Sequence, residues 1–193
     1  MTQDETERLL ETYPILYGGY TKPITESLMA FGFECGSGWF KLIDELSAGL
    51  EDVNRRILRR KDRDRKMALA LFMTAAYSFG FCLTYFVNLM VTGTENHPIL
   101  AGAMSLLGLV SLLFVLRLRR RHYPFVEATQ VKEKFGTLRF YLDTPLGDEI
   151  DALVDKAEAA SGVTCEACGC PGSPRCRNGW YSTLCDDCCS SRI

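Results

Sequence analysis

The sequence predicts a mixed α+β module interrupted by two membrane-length helices and closed by a cysteine-rich ribbon. Three observations carry this. Two uncharged apolar runs, Met67 to Val91 and Pro98 to Leu116, lie between clusters of arginine and lysine. Two Cys-x-x-Cys pairs sit near the C-terminus, and the segments outside the apolar runs show helical periodicity on one side and strand alternation on the other.

Residues 2 to 12 have the pattern of a short helix that ends at Tyr13-Pro14, because a residue before proline is disfavoured in helical geometry. An irregular turn at Gly18-Gly19 and a helix from about Pro23 to Phe31 follow, and a loop from Glu34 to Gly38 leads into a longer helix. In that helix Trp39, Ile43, Leu46, Leu50, Val53 and Ile57 alternate steps of four and three, which makes one apolar stripe facing a core.

Each apolar run is about 20 residues or longer, and such a helix rises roughly 30 Å, the thickness of a bilayer core. The flanking charges orient it. Arg55, Arg56, Arg59, Arg60, Lys61, Arg63, Arg65 and Lys66 precede the first run, and Arg117, Arg119, Arg120 and Arg121 follow the second. The segment between them, Thr92 to His97, holds Glu95 and no Lys or Arg. Basic loops stay in the cytoplasm, so the chain is expected to cross a membrane twice with both termini cytoplasmic. The first run begins too far along and is too long to be the apolar region of a secretory signal. Ala76 and Gly80 in the first span, and Ala101, Ser105 and Gly108 in the second, are expected to form facing small-residue surfaces. Neither span contains Asp, Glu, Lys, Arg or His, which argues against an ion or proton pathway.

Formal net charge is −2, but the two basic flanks hold 12 of the 22 Lys and Arg residues and only two acids, Asp62 and Asp64. The remainder is acidic, and anionic headgroups suffice as partners for the flanks.

Beyond the second span, Glu127 to Leu142 has strand character, with Leu138, Phe140 and Leu142 on one face, Arg139 and Tyr141 on the other, and a bend at Gly136. Thr144 to Gly147 reads as a turn, and a helix runs from Asp148 to Ser161 with acids in its first turn and Gly162 at its end.

Seven of nine cysteines fall in the last 29 residues. A reducing cytoplasm disfavours a disulfide framework, so metal is the better reading. Cys165-Glu-Ala-Cys168 and Cys185-Asp-Asp-Cys188 are separated by 16 residues, the spacing of a four-cysteine zinc ribbon in which a hairpin carries the second pair across to the first. Cys165, Cys168, Cys185 and Cys188 are therefore the expected ligands of a structural Zn2+. Cys170, Cys176 and Cys189 are surplus, so an exchange such as Cys189 for Cys188, or a second ion, stays open. Cys35 and Cys82 lie elsewhere.

The resulting fold class is an α+β cytoplasmic module with a C-terminal zinc ribbon, interrupted by a two-helix transmembrane hairpin. Its parts are 1–58, the N-terminal helical part; 59–122, the basic-flanked hairpin; 123–163, the strand and helix part; and 164–193, the ribbon.

The segments Phe33 to Leu46 (FECGSGWFKLIDEL), Gln130 to Tyr141 (QVKEKFGTLRFY), Cys165 to Gly169 and Gly179 to Cys185 resemble a family of small uncharacterised phage, prophage and bacterial proteins with a C-terminal four-cysteine motif. The resemblance covers most of the sequence outside the apolar runs. It implies one module built from both ends of the chain, into which the membrane hairpin is inserted, and it brings no known activity.

No catalytic constellation stands out. The only histidines are His97 and His122, a closed four-thiolate site has no position for substrate, and Gly36-Ser37-Gly38 lacks the length and the Lys-Ser/Thr ending of a phosphate loop. The expected function is a membrane-anchored zinc-binding interaction or sensing protein with a protein partner, and the resemblance implies a setting in phage-host conflict. Glu34, Trp39, Arg139, Tyr141 and Trp180 are its candidate surface contacts. Alternatives are nucleic-acid binding through Lys132, Lys134, Arg139, Phe140 and Tyr141, self-association, and an enzyme of unassigned class.

Overall fold

Helix α1, Gln3–Thr12, starts at a capping box. The Thr2 hydroxyl accepts from the Glu5 amide, and the Glu5 carboxylate accepts from the Thr2 amide at 2.9 Å, so two orphan donors of the first turn are satisfied. The computed structural model describes residues 1–93, 98–143 and 147–191. The sequence-predicted turn at Thr144 to Gly147 and the segment between the apolar runs therefore lie largely outside the described residues.

The described chain is mixed helix and strand. After α1 come β1 (Phe33–Glu34), α2 (Phe40–Thr92), α3 (Pro98–Arg119), β2 (Ala128–Lys134), β3 (Thr137–Leu142), α4 (Asp148–Ser161), β4 (Ser173–Arg177), β5 (Trp180–Leu184) and α5 (Asp186–Ser191). They fall into two compact units: residues 1–56 with 124–193, and residues 57–123.

In the first unit, β1, β2 and β3 form a sheet in that order, with β1 parallel to β2 and β2 antiparallel to β3. Phe135 and Gly136 both take positive φ, 55° and 79°, and connect Lys134 to Thr137 as a two-residue turn of the kind whose twist matches a hairpin. The outer edge of β3 is covered by α4: Ser161 Oγ accepts from the Leu138 amide at 2.8 Å, and the Glu158 carboxylate accepts from the Phe140 amide at 3.1 Å. Strand edges left open invite pairing, and here two side chains close one.

The stripe of α2 packs as its spacing indicates, with Ile43, Leu46 and Leu50 buried beside Leu9, Leu16, Val131 and Leu138. Trp39, expected both in the apolar stripe and among the surface contacts, takes the first role only. It is fully buried in the core, not a surface contact, because its indole N–H reaches the Thr164 carbonyl at 2.8 Å and leaves no polar atom needing water. The segment expected as a helix from Pro23 to Phe31 contains no α-helix: a turn closed by the Ser27 amide donating to the Pro23 carbonyl at 3.1 Å leads into a 3₁₀ turn, Leu28–Phe31. Ser27 caps that turn and Gly32 ends it at φ 77°, so there is room for one turn and no more. The loop expected from Glu34 to Gly38 instead begins with the last residue of β1 and runs into another 3₁₀ turn, Ser37–Trp39.

Polar groups on the buried side of α2 fasten it to the rest of the unit. The Tyr17 hydroxyl bonds Ser47, Glu51 accepts from the Leu16 amide at 3.3 Å, and the Asn54 amide exchanges two hydrogen bonds with Val126: it donates to the carbonyl at 2.9 Å and accepts from the N–H at 2.8 Å.

In the second unit, α2 and α3 run antiparallel. Thr74 Oγ1 donates to Ser111 at 3.2 Å, and Cys82 lies 3.1 Å from Ser105. The α3 face is the one expected, through Ala101, Ser105 and Gly108. The α2 face is not: a Cβ on Gly108 would meet Ser78 at 3.1 Å, whereas one on Gly80 would meet nothing within 4 Å, so Thr74, Ser78 and Cys82 replace Ala76 and Gly80 as the contact row. Both helices are long and apolar enough to cross a membrane.

Truncating Asn54 strands a buried N–H and a buried carbonyl at Val126, and each loss costs about 1–3 kcal/mol. Asn54→Ala is expected to lower the denaturant midpoint of the first unit by an amount equivalent to about 3 kcal/mol, followed by circular dichroism. An unchanged midpoint would show that the Asn54 clasp contributes nothing.

Candidate metal centre

A short segment, Gly162 to Thr164, carries the chain from the end of α4 into a tight turn over Cys165 to Gly169. The Gly169 amide donates to the Cys165 carbonyl at 2.8 Å, and Gly169 itself takes φ 78°. The chain then enters β4 and returns through Asn178 and Gly179, both at positive φ, which join Arg177 to Trp180 in a two-residue turn. β5 delivers Cys185, and the first turn of α5 delivers Cys188, whose amide lies 3.4 Å from the Cys185 sulfur.

The four sulfurs of Cys165, Cys168, Cys185 and Cys188 all lie within 4.8 Å of one another, and Cys168 and Cys185 are 3.6 Å apart. A tetrahedral ion with metal–sulfur bonds of about 2.3 Å places its sulfurs about 3.8 Å apart, so one ion fits this quartet. All nine cysteines are free thiols, and Cys170, Cys176 and Cys189 stand outside the quartet.

Burial opposes ionisation of Cys165, yet the N–H groups of Cys185, Cys168 and Ala167 outweigh it and bring the thiol down to about 6. The Cys188 thiol is pushed up, first by Cys168 and then by Cys185. Sulfurs this close repel as thiolates, so one ionises readily and its neighbour resists; a divalent cation among them removes the conflict. Cys35, in contrast, is raised to about 12 by burial and belongs to the core. With four thiolates closing the coordination sphere, the quartet can hold an ion and leaves no position for a substrate.

The first Cys-x-x-Cys turn does not stand alone. The Gly38 amide donates to the Glu166 carbonyl at 2.8 Å, and the Gly36 amide donates to the Glu166 carboxylate at 3.0 Å. A Cβ on Gly38 would come 2.2 Å from the Cys165 carbonyl oxygen, and one on Gly36 would come 2.3 Å from that of Glu166. On the other side the Glu166 amide donates to the Thr183 carbonyl at 2.9 Å, and the Thr183 hydroxyl donates to the Gly136 carbonyl at 2.6 Å. Gly36, Gly38, Trp39 and Glu166 are thus supports of the metal centre that periodicity and spacing did not reveal. Two glycines flanking a serine ahead of a tryptophan were the available signal, since paired glycines outside a turn often mark a close backbone approach.

No family model, no curated protein and no solved structure matches this chain.

Replacing any one of Cys165, Cys168, Cys185 and Cys188 by Ser is expected to remove most of one equivalent of bound metal, measured by elemental analysis of the purified protein. Cys170→Ser, Cys176→Ser and Cys189→Ser should each retain the full equivalent; full retention in Cys168→Ser would instead place a surplus cysteine in the ligand set. Gly38→Ala replaces no ligand, but its overlap with the backbone of Cys165 and Cys168 is expected to cost about 3 kcal/mol or more. A chelator titration should show the metal leaving Gly38→Ala at lower chelator concentration, and wild-type retention would contradict the role given to this contact.

Proposed function

We propose that the chain is a membrane-anchored zinc-binding interaction protein. In this reading α2 and α3 cross a bacterial inner membrane as a hairpin, both termini are cytoplasmic, and the α+β unit is displayed on the cytoplasmic side to bind a protein partner. Zinc is the ion that suits a closed quartet of thiolates, and its role is structural.

The observation that carries the proposal is the exposure of the apolar helices. Of the most apolar stretches of α2 and α3, only 6% and 11% is buried. A core helix of a water-soluble protein is mostly covered, whereas here Leu69, Phe79 and Ile99 are 64%, 71% and 89% exposed. Lipid is the solvent that tolerates such a surface. The basic flanks supply the orientation, and a cytoplasmic placement keeps the nine thiols reduced. The phage-host setting rests on the motif resemblance alone.

The nucleic-acid alternative draws on Lys132, Lys134, Arg139, Phe140 and Tyr141. Phe140 is core and Arg139 pairs with Glu158 at 3.0 Å, whereas Tyr141 is exposed with the Lys132 ammonium 5.6 Å from its ring centroid. The β4–β5 hairpin is what favours that alternative, with Arg175 and Arg177 beside Trp180 and Tyr181, which are 79% and 53% exposed. Against it stands charge: the first unit holds 21 acidic and 12 basic residues.

Reporter fusions test the anchoring. Alkaline phosphatase joined after residue 193 should be inactive, and the same enzyme inserted between residues 92 and 97 should be active; the reverse pattern would refute the orientation. Fluorescence anisotropy with a single-stranded oligonucleotide at physiological salt separates the two readings, and the interaction reading expects no binding that Trp180→Ala abolishes.

A further inference from the structure

Where the charged flank of α2 gives way to its apolar part, α2 and α3 of the second unit line an open cleft of about 740 Å³. Its wall is apolar, made by Leu69 and Phe72 from α2 and Val115 and Leu118 from α3. Its rim is cationic, made by Lys61, Arg65 and Lys66 on one side and Arg119 and Arg121 on the other. Two acids share this rim. Asp62 pairs with Lys66 at 2.7 Å. Asp64, which is about 5% exposed, accepts from Arg121 at 2.8 Å and from the Tyr123 hydroxyl, so a buried carboxylate sets the position of Arg121 and of the chain leaving α3.

Five cations against two carboxylates leave a surplus of three positive charges directly above an apolar wall. That arrangement complements a molecule that is anionic at one end and hydrocarbon at the other. Guanidinium groups bind phosphate oxygens through paired donors, and basic pockets between membrane helices on the cytoplasmic side favour anionic headgroups. A soluble phosphate would use the rim and leave the wall uncovered, whereas a phospholipid covers both, the rim with its phosphate and the wall with an acyl chain.

We propose that this cleft is a binding site for an anionic phospholipid, with its phosphate held by Arg65, Arg119 and Lys66 and an acyl chain laid along Leu69, Phe72, Val115 and Leu118. The site rests on the membrane-anchored reading above. In that reading it lies at the cytoplasmic headgroup level, because the apolar runs begin at Met67 and end at Leu116. The lipid then ties the two helices together at the end where the basic flanks converge.

The test is native mass spectrometry of the full chain released from neutral detergent containing equal amounts of phosphatidylglycerol and phosphatidylcholine. The wild type should retain one phosphatidylglycerol in preference to phosphatidylcholine. The double variant Arg65→Gln/Arg119→Gln should weaken that retention about tenfold or more, as expected for the loss of about 1.4 kcal/mol. Arg60→Gln/Arg63→Gln removes the same charge from outside the cleft and should leave retention within about twofold. All four arginines are exposed, and circular dichroism checks that both variants keep their helix content. Equal losses in the two variants, equal retention of the two lipids, or displacement of phosphatidylglycerol by millimolar glycerol 3-phosphate would each overturn the site. Release of the chain from membranes by alkaline carbonate would overturn the anchoring and the site with it; carbonate resistance without lipid preference overturns the site alone.

Discussion

The close approach of two backbones, Gly36 to Trp39 against Cys165 to Gly169, is the constraint on which the first unit depends. It joins residues about 130 positions apart in sequence, and it does so without side chains in the way: two glycines let the amide of Gly38 reach the carbonyl of Glu166. Trp39 follows immediately, fills the core beneath the contact and spends its indole N–H on Thr164. The start of α2 is therefore positioned by the turn that carries the first two cysteines. Since the core stripe of α2 continues from that point, metal centre and hydrophobic core share one foundation.

This arrangement changes what a metal ion does for the protein. In an isolated four-cysteine turn pair, metal binding stabilises only its own loops. Here the Cys165–Gly169 turn is held on one side by Gly36 and Gly38 and on the other by Thr183, which in turn bonds the β2–β3 turn at Gly136. Ordering four thiolates around one cation thus supports the N-terminal segment and the sheet as well as the C-terminal hairpin. An ion held by the quartet would therefore brace residues 36–39 as well as 164–191.

Much of this was legible in the residues, and the parts that were not share a cause. The cysteine quartet followed from spacing, because a Cys-x-x-Cys turn is a local structure and the 16 residues between the pairs suit a hairpin that returns the second pair. The stripe of α2 and the alternation of Leu138 and Phe140 followed from periodicity. The contact of Gly36 and Gly38 did not, since the reason for both glycines is a backbone far away in sequence. Trp39 was readable as core from the stripe, while the Thr164 carbonyl that accepts from its indole N–H lies 125 positions away and was not. Asn54 and Glu51 interrupt the apolar pattern of α2, and only their partners at Val126 and Leu16 explain polar groups on a buried face. Between the apolar helices, small residues at helical spacing occur on more than one face, so sequence could not choose Ser78 over Gly80.

Hydrogen exchange of the full-length protein in detergent, with metal bound and after chelation, tests the shared foundation most directly. The account predicts that chelation releases protection in residues 40–56 and in β2 and β3 together with residues 164–191, because the Cys165–Gly169 turn braces all of them. Loss of protection confined to 164–191, with the start of α2 and the sheet unchanged, would contradict it.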